Sequence, residues 1–146
     1  MKTFTAIILA VVLSGCRFWG VDYDPQPQRI TDKEQAKAVL TKTLLEQHRR
    51  NGVQGLVVHD DRITFFEERN NFATLGAMGS SMAIYFTRVN EIRLFRHVRT
   101  DTYNIDLYNK VKIYAVRCFT REDAERFVDA FVFMQKLNGD KTLCEK

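Results

Sequence analysis

The fold of this chain is decided by one stretch near its C-terminus, Lys110 to Met134, which reads KVKIYAVRCFTREDAERFVDAFVFM. The first part of the stretch predicts a strand over residues 111–118. Thr120 follows at a helix N-cap position, and the acidic residues just after it suit the positive end of a helix dipole. Apolar residues then recur at helical spacing, which predicts an amphipathic helix from Arg121 to Leu137 that ends at Asn138-Gly139. Its apolar stripe consists of Ala124, Phe127, Val128, Phe131, Met134 and Gln135.

The residues before this stretch predict more strands and one earlier helix. A period of two begins at residue 53, and Asp60-Asp61 marks a hairpin turn. The predicted strands are Gly55–His59, Arg62–Glu67, Met82–Arg88, Ile92–Val98 and Tyr103–Asn109, with a short one near Phe72–Leu75. A helix is expected from Asp32 to Arg50, with Thr31 and Glu34 forming a capping box and Asn51-Gly52 ending it.

Together these elements predict the α+β class. We expect an antiparallel meander of about six to seven strands, as a partly open barrel or a sandwich, because antiparallel strands need a cover for their apolar face. The N-terminal helix is an addition to this meander, and the C-terminal amphipathic helix covers it. The order of elements resembles the pleckstrin-homology-like superfold, and the resemblance covers about residues 53 to 138. It rests on VVHDDRITFF (57–66), RVNEIRLFR (88–96) and the stretch quoted above.

The N-terminus predicts export and lipid anchoring. MKTFTAIILAVVLSGC contains an apolar run from Phe4 to Leu13 that spans about 15 Å as a helix, half of a ~30 Å hydrocarbon core. It is therefore too short to cross a membrane and fits a signal peptide. Leu13-Ser14-Gly15-Cys16 resembles the lipobox of bacterial lipoproteins. That resemblance implies cleavage before Cys16, acylation of its thiol and amine, and, because Arg17 rather than aspartate follows, an outer-membrane protein facing the periplasm.

Four regions follow from these features. Residues 1–15 form the signal peptide, 16–30 a lipidated tether, 31–138 a single α+β domain and 139–146 a polar tail. Two prolines in the tether favour extended backbone. Its aromatic residues, Phe18, Trp19 and Tyr23, either lie at the lipid headgroups or dock on the domain's own surface.

Charge and cysteine content exclude some classes of protein. The 146-residue chain carries a net charge of +4, which falls to +3 once Lys2 is removed with the signal peptide. This small excess does not indicate nucleic-acid binding. No spacing of histidine and cysteine suggests a zinc site. An oxidising compartment would allow a disulfide between Cys118 and Cys144, but the separation predicted for them favours a buried thiol at Cys118.

A set of basic residues is the candidate binding site. Arg93, Arg99, Lys112 and Arg117 are expected to contact an anionic partner, such as lipid A phosphates or an acidic protein. Strand alternation does not place the basic residues of this region on one obvious stripe. The alternative is therefore a solvated sheet face whose charges prevent edge-to-edge aggregation.

The sequence favours a non-enzymatic protein without a cofactor. His48, His59 and His97 fall on different predicted elements, and the adjacent acidic pairs point to opposite faces of their strands. We therefore predict a membrane-anchored binding or scaffold module for an envelope protein or lipid. The alternative is a carrier or sensor of a small amphipathic envelope ligand. A buried cavity lined by Phe65, Phe86, Phe95 and Phe127 would favour that alternative, whereas a filled core would favour the binding module.

Overall fold

The computed structural model describes residues 18–47, 53–70 and 77–144. Within these ranges the strands are β1 (Phe18–Gly20), β2 (Val53–Val58), β3 (Arg62–Asn70), β4 (Ala77–Tyr85), β5 (Glu91–His97), β6 (Thr102–Asn109) and β7 (Val111–Cys118). The helices are α1 (Lys33–Glu46) and α2 (Arg121–Cys144), with 3-10 turns at Pro27–Arg29 and Phe86–Arg88. The signal peptide, Cys16, the short strand predicted at 72–75 and the predicted helix end at 48–50 lie outside the described residues.

The strands form two antiparallel sheets. One sheet has the order β1-β5-β6-β7 and the other the order β2-β3-β4. The predicted α+β class, an antiparallel arrangement of about six to seven strands with an N-terminal and a C-terminal helix, is therefore confirmed, and the described residues contain seven strands. The strands form two sheets and do not close into a single barrel.

The helix α1 packs against β2 and β7, α2 packs against β6 and β7, and the two helices pack against each other. The predicted stripe of α2 is buried at its apolar positions, and Leu40 and Leu44 of α1 are buried beside it. Gln135, the polar residue of the predicted stripe, forms hydrogen bonds: its side-chain amide donates to the carbonyls of Phe86 (3.0 Å) and Val89 (2.7 Å). These two bonds fix the 3-10 turn beneath α2.

The cap of α1 differs from the prediction by one residue. Asp32, not Thr31, is the N-cap, and its carboxylate accepts from the backbone N–H of Gln35 (2.8 Å). Gln35 in turn accepts from the backbone N–H of Thr31 (2.6 Å). Asp32 and Gln35 therefore occupy the N-cap and N3 positions that were predicted for Thr31 and Glu34, because aspartate caps at least as well as threonine. The Gln35 side chain accepts from the residue before the N-cap rather than from the N–H of Asp32, which distinguishes this cap from the predicted capping box.

The helix α2 runs past the predicted stop, so residues 139–144 are helical rather than a polar tail. Glycine ends a helix when it adopts a left-handed conformation, and Gly139 has no positive φ. Asn138 also supports this turn, because its side-chain amide donates to the carbonyls of Met134 (2.8 Å) and Asp60 (2.7 Å). The second bond ties the helix to the turn between β2 and β3.

Residues 18–30 are part of the domain and not a free tether. Phe18–Gly20 pairs with the end of β5, and the N–H of Val21 donates to the carbonyl of Leu94 (2.9 Å). The docking alternative is confirmed for Tyr23, which packs against the core, whereas Trp19 is 67% exposed. The two prolines of this segment lie outside the strand, and Pro27 begins the 3-10 turn Pro27–Arg29 instead of the extended backbone that was predicted.

The strand predicted at Met82–Arg88 ends early. β4 stops at Tyr85, and Phe86–Arg88 forms a 3-10 turn that points the fully buried Phe86 into the core. Its ring meets that of Phe131 edge to face, with centroids 5.0 Å apart. Phe86, whose apolar side chain continues the alternating pattern of the strand in the sequence, therefore belongs to the turn.

Candidate functional site

The four-stranded sheet brings three of the four predicted basic residues together on its outer face. Register places Arg93 opposite Asp106, and Asn104 opposite both Phe95 and Arg117. We call this surface the polar sheet face and define it by Glu91, Arg93, Asn104, Asp106, Tyr108, Lys112 and Arg117. Simple alternation along β7 would put Lys112 on the opposite face from Arg117.

A β-bulge explains why Lys112 joins them. The register between β6 and β7 shifts after Leu107, which pairs with Tyr114, so that Tyr108 pairs with Lys112. The extra residue, Ile113, reverses the side-chain alternation on either side of it. Lys112 therefore points to the same side as Arg117, and its Nζ lies 2.7 Å from Oδ2 of Asp106.

The cations of this face are paired with acceptors. Arg93 donates to both carboxylate oxygens of Glu91 (2.6 and 3.2 Å), and its guanidinium lies 4.6 Å from the centre of the Tyr108 ring. Arg117 donates to the side-chain oxygen of Asn104 (3.1 Å). The hydrogen bond from Arg93 lowers the pKa of Glu91. The face thus presents an ordered network of three cations and two carboxylates rather than a strongly cationic patch.

Asp106 is the most buried of the residues on this face that sequence reasoning missed. Its side chain is 10% exposed, and Oδ1 has no hydrogen-bond partner among the described residues. It stands between Ile105 and Leu107, two fully buried residues. An aspartate inside an apolar strand run was the available signal, because aspartate is depleted in strands.

Arg99 lies apart from the polar sheet face. It is exposed and belongs to the turn 98–101, in which Asp101 adopts a left-handed backbone (φ +49°). Asp101 accepts from Arg96 (2.9 Å). The structure thus places Arg93, Lys112 and Arg117 on one face and Arg99 on a separate turn. Their contact with an anionic partner stays a prediction.

A cleft of about 250 Å³ lies beside α2. Its walls come from the segment after β1, the start of β5 and α2, and they include Val21, Tyr23, Ile92, Val128 and Val132. Glu91 lies at this cleft and also belongs to the polar sheet face. The two surfaces are therefore continuous.

One buried carboxylate fixes the N-terminal wall of this cleft. Asp129 is fully buried on α2, and its Oδ1 accepts from the hydroxyl of Tyr23 (2.7 Å) and the N–H of Gln26 (2.6 Å). Arg29 lies 4.0 Å from Oδ2. An aspartate in the apolar run Val128–Phe131 was a signal that the sequence reasoning passed over, because a buried charge needs partners.

Tyr23 is expected to make folding stability depend on alkaline pH. Burial, followed by the hydrogen bond to Asp129, raises the pKa of Tyr23 from 10.0 to about 12. The folded state therefore holds this proton more tightly than the unfolded state, so the stabilisation is complete below pH 10 and is lost as pH rises through about 12. Urea unfolding across this range, in the natural chain and in Tyr23→Phe, measures the effect. Parallel pH dependences in the two proteins would contradict it.

The aromatic cavity considered from the sequence does not assemble. Phe65, Phe86 and Phe127 are buried in the core, where Phe65 meets Tyr114 at 5.1 Å and Phe127 meets Phe131 at 6.1 Å between ring centres. Phe95 lies opposite Gly20 of the edge strand and opposite Asn104, on the outer face of its sheet. Three of the four rings therefore fill the core and the fourth is elsewhere.

The other polar groups considered from the sequence make local contacts. His59 contacts the hydroxyl of Thr64 (3.0 Å), and His97 contacts that of Thr100 (2.9 Å). Asp60 pairs with Lys37 (2.7 Å) and Lys33 (2.9 Å) of α1, which lowers its pKa to about 2. In residues 18–47, 53–70 and 77–144, no three histidine, cysteine, aspartate or glutamate residues are grouped as metal ligands.

Cys118 is a free thiol buried at the end of β7, as the sequence favoured. Burial raises the pKa of this thiol to about 12. Because the thiolate is the reactive form, Cys118 is an inert packing residue rather than a nucleophile.

Comparison of the chain with protein families, with curated proteins and with solved structures found no match. The resemblances to lipoproteins and to the pleckstrin-homology-like superfold therefore remain predictions. In the part of the chain that the structure describes, neither helix combines the length and apolar character needed to span a bilayer.

Proposed function

We propose that this chain is a lipid-anchored, non-enzymatic binding module of the bacterial envelope, attached to the periplasmic side of the outer membrane through acyl chains on Cys16. One observation carries the proposal: Phe18, two positions after Cys16 in the sequence, belongs to a strand that is hydrogen-bonded into the sheet. An anchor at Cys16 would hold the domain close to the membrane and raise its effective concentration for a local partner.

The polar sheet face is the proposed partner site. Arginine and tyrosine are enriched in protein interfaces, and here the Arg93 guanidinium lies over the ring of Tyr108. The paired charges favour a partner with complementary groups over a simple polyanion, because each cation already has an acceptor. The packed aromatic core supports this binding module over a carrier with an internal ligand cavity.

A second candidate, the carrier or sensor of a small amphipathic ligand, is favoured by the cleft beside α2. Its apolar walls and the adjacent Glu91 provide an apolar body and a polar end for such a ligand. The volume of about 250 Å³ lies just below the ~300–1,000 Å³ of most small-molecule sites, which favours the first candidate.

Replacing the acyl acceptor tests the anchor. Cys16→Ser is expected to abolish the acyl mass and move the protein from the membrane to the soluble periplasmic fraction, because several chains at ~0.8 kcal/mol per buried CH₂ make the attachment durable. Intact-mass spectrometry with metabolic fatty-acid labelling measures both states. Cys118→Ser is the matched control, since that thiol is buried in the domain. Acyl mass that persists in Cys16→Ser would refute the anchor.

Photo-crosslinking in the same membranes tests the proposed partner site. A photo-crosslinking residue at the exposed Ala115, which register places opposite Asp106, is expected to give a discrete crosslinked product. The same residue at Val57, 49% exposed on the other sheet, is the control. Equal products from the two positions would count against the polar sheet face.

A further inference from the structure

One end of the four-stranded sheet collects much of the exposed apolar surface of the domain. Register aligns the start of β1, the end of β5, the start of β6 and the end of β7, because Phe18 pairs with His97, His97 with Thr102, and Tyr103 with Cys118. We define the membrane end as Phe18, Trp19, Val98, Arg99 and Phe119. Four strands at a spacing of about 4.8 Å make it about 15 Å wide.

The apolar side chains of the membrane end are exposed. Phe18 is 47% exposed, Trp19 67%, Val98 53% and Phe119 55%. These four make up half of the eight large exposed apolar side chains among the described residues. A cluster of this kind, in contrast to scattered single residues, marks a contact surface.

The proposed acyl anchor at Cys16 lies next to the membrane end in the sequence. One residue, Arg17, separates Cys16 from Phe18, so the Cα of an acylated Cys16 would lie within about 7 Å of the Cα of Phe18 in the membrane end. Aromatic side chains settle at the headgroup level of bilayers, and an exposed arginine such as Arg99 suits lipid phosphates. A lipid surface therefore matches both the chemistry and the place.

The connection to the domain is firm enough to fix an orientation. Phe18 meets His97 edge to face at 4.8 Å, and residues 21–26 are bonded to Leu94 and to the buried Asp129. A flexible tether would let the domain turn freely, whereas a paired strand transmits the direction of the anchor to the sheet.

We propose that the membrane end rests on the headgroup layer of the bilayer that holds the acyl chains of Cys16, so that the sheet strands rise from the membrane. This inference rests on the proposed acylation of Cys16. Val111, at the opposite end of β7, and the turn at Asn109 then point away from the bilayer, and the polar sheet face stands open to the side.

Trp19 is the only tryptophan of the chain, so its fluorescence reports this surface directly. The acylated protein is placed in vesicles of phosphatidylethanolamine and phosphatidylglycerol, with and without lipids brominated near the top of the acyl chains. We expect a blue-shifted emission and about a twofold loss of intensity with brominated lipid, because tryptophan would lie at headgroup depth. The matched control carries Trp19→Phe and Val111→Trp, which moves the fluorophore to a position 68% exposed at the far end of the same sheet. Its emission is expected to stay unchanged.

Each other outcome overturns the proposal. Unquenched Trp19 in a protein with full acyl mass would leave the anchor intact and assign the membrane end to a protein partner. Equal quenching of both proteins would show an anchored domain without a fixed orientation. A missing acyl mass on the same sample would remove the proposed function and this inference together.

Discussion

Phe131→Ala is expected to lower the free energy of unfolding by about 3–5 kcal/mol, a large part of the total stability of a domain this size. Phe131 is fully buried, and its ring contacts Phe86 below α2 and Phe127 one turn earlier on the same helix. Its removal would leave a cavity where the helix meets the 3-10 turn, and Gln135, which bonds the carbonyls of that turn, would be loosened with it.

Urea unfolding followed by circular dichroism measures this loss. Leu45→Ala is the matched control: it removes an apolar side chain from α1 that is 59% exposed, so its cost is expected to stay within about 0.5 kcal/mol. Similar midpoints for Phe131→Ala and the natural chain would mean that the core is not centred on this residue.

Asp129→Ala is expected to release residues 18–30 from α2. The change leaves the Tyr23 hydroxyl and the Gln26 N–H without their acceptor, and a buried unsatisfied donor costs about 1–3 kcal/mol. Hydrogen exchange should therefore speed up at the N–H of Gln26 and along β1, while the N–H groups of β6 keep their protection. In the vesicle experiment, this variant is expected to retain acyl mass and to lose part of the Trp19 quenching.

Asp129→Asn separates hydrogen bonding from charge. It keeps an oxygen that can accept from Tyr23 and Gln26 but loses the charge that faces Arg29, which lies 4.0 Å away and is half exposed. Most of the protection at Gln26 is therefore expected to survive. Unchanged exchange of residues 18–30 in Asp129→Ala would show that strand pairing with β5 is sufficient to hold the segment.

The order of the elements and their buried faces follow from local pattern. The limits of β7 match the prediction residue for residue, and the N-cap at Thr120 is confirmed by its 3.1 Å bond from the N–H of Asp123. Such features depend on neighbours within a few positions, as periodicity and capping do. Helix ends were less predictable, because Asn138 finds a long-range acceptor at Asp60 that no local signal contains.

The candidate site was only partly accessible from the sequence. Arg93 and Arg117 could be singled out as basic strand residues, but their acceptors on neighbouring strands depend on register. Asp106 and Asp129 were visible only as polar interruptions of apolar runs. Their partners lie on other elements, and the separation of 103 positions between Gln26 and Asp129 places that pairing beyond any local pattern.

The sequence by itself determined the α+β class, the amphipathic helices and the lipobox-like start, since each depends on residue types at short, fixed spacings. Tertiary structure alone decided three further features. A single-residue bulge turned Lys112 toward Asp106, a buried carboxylate drew residues 21–26 onto α2, and strand register gathered Phe18, Val98 and Phe119 at one end of the sheet. Each arises from contacts between residues on different elements, which only the paired strands and the packed helices bring within reach.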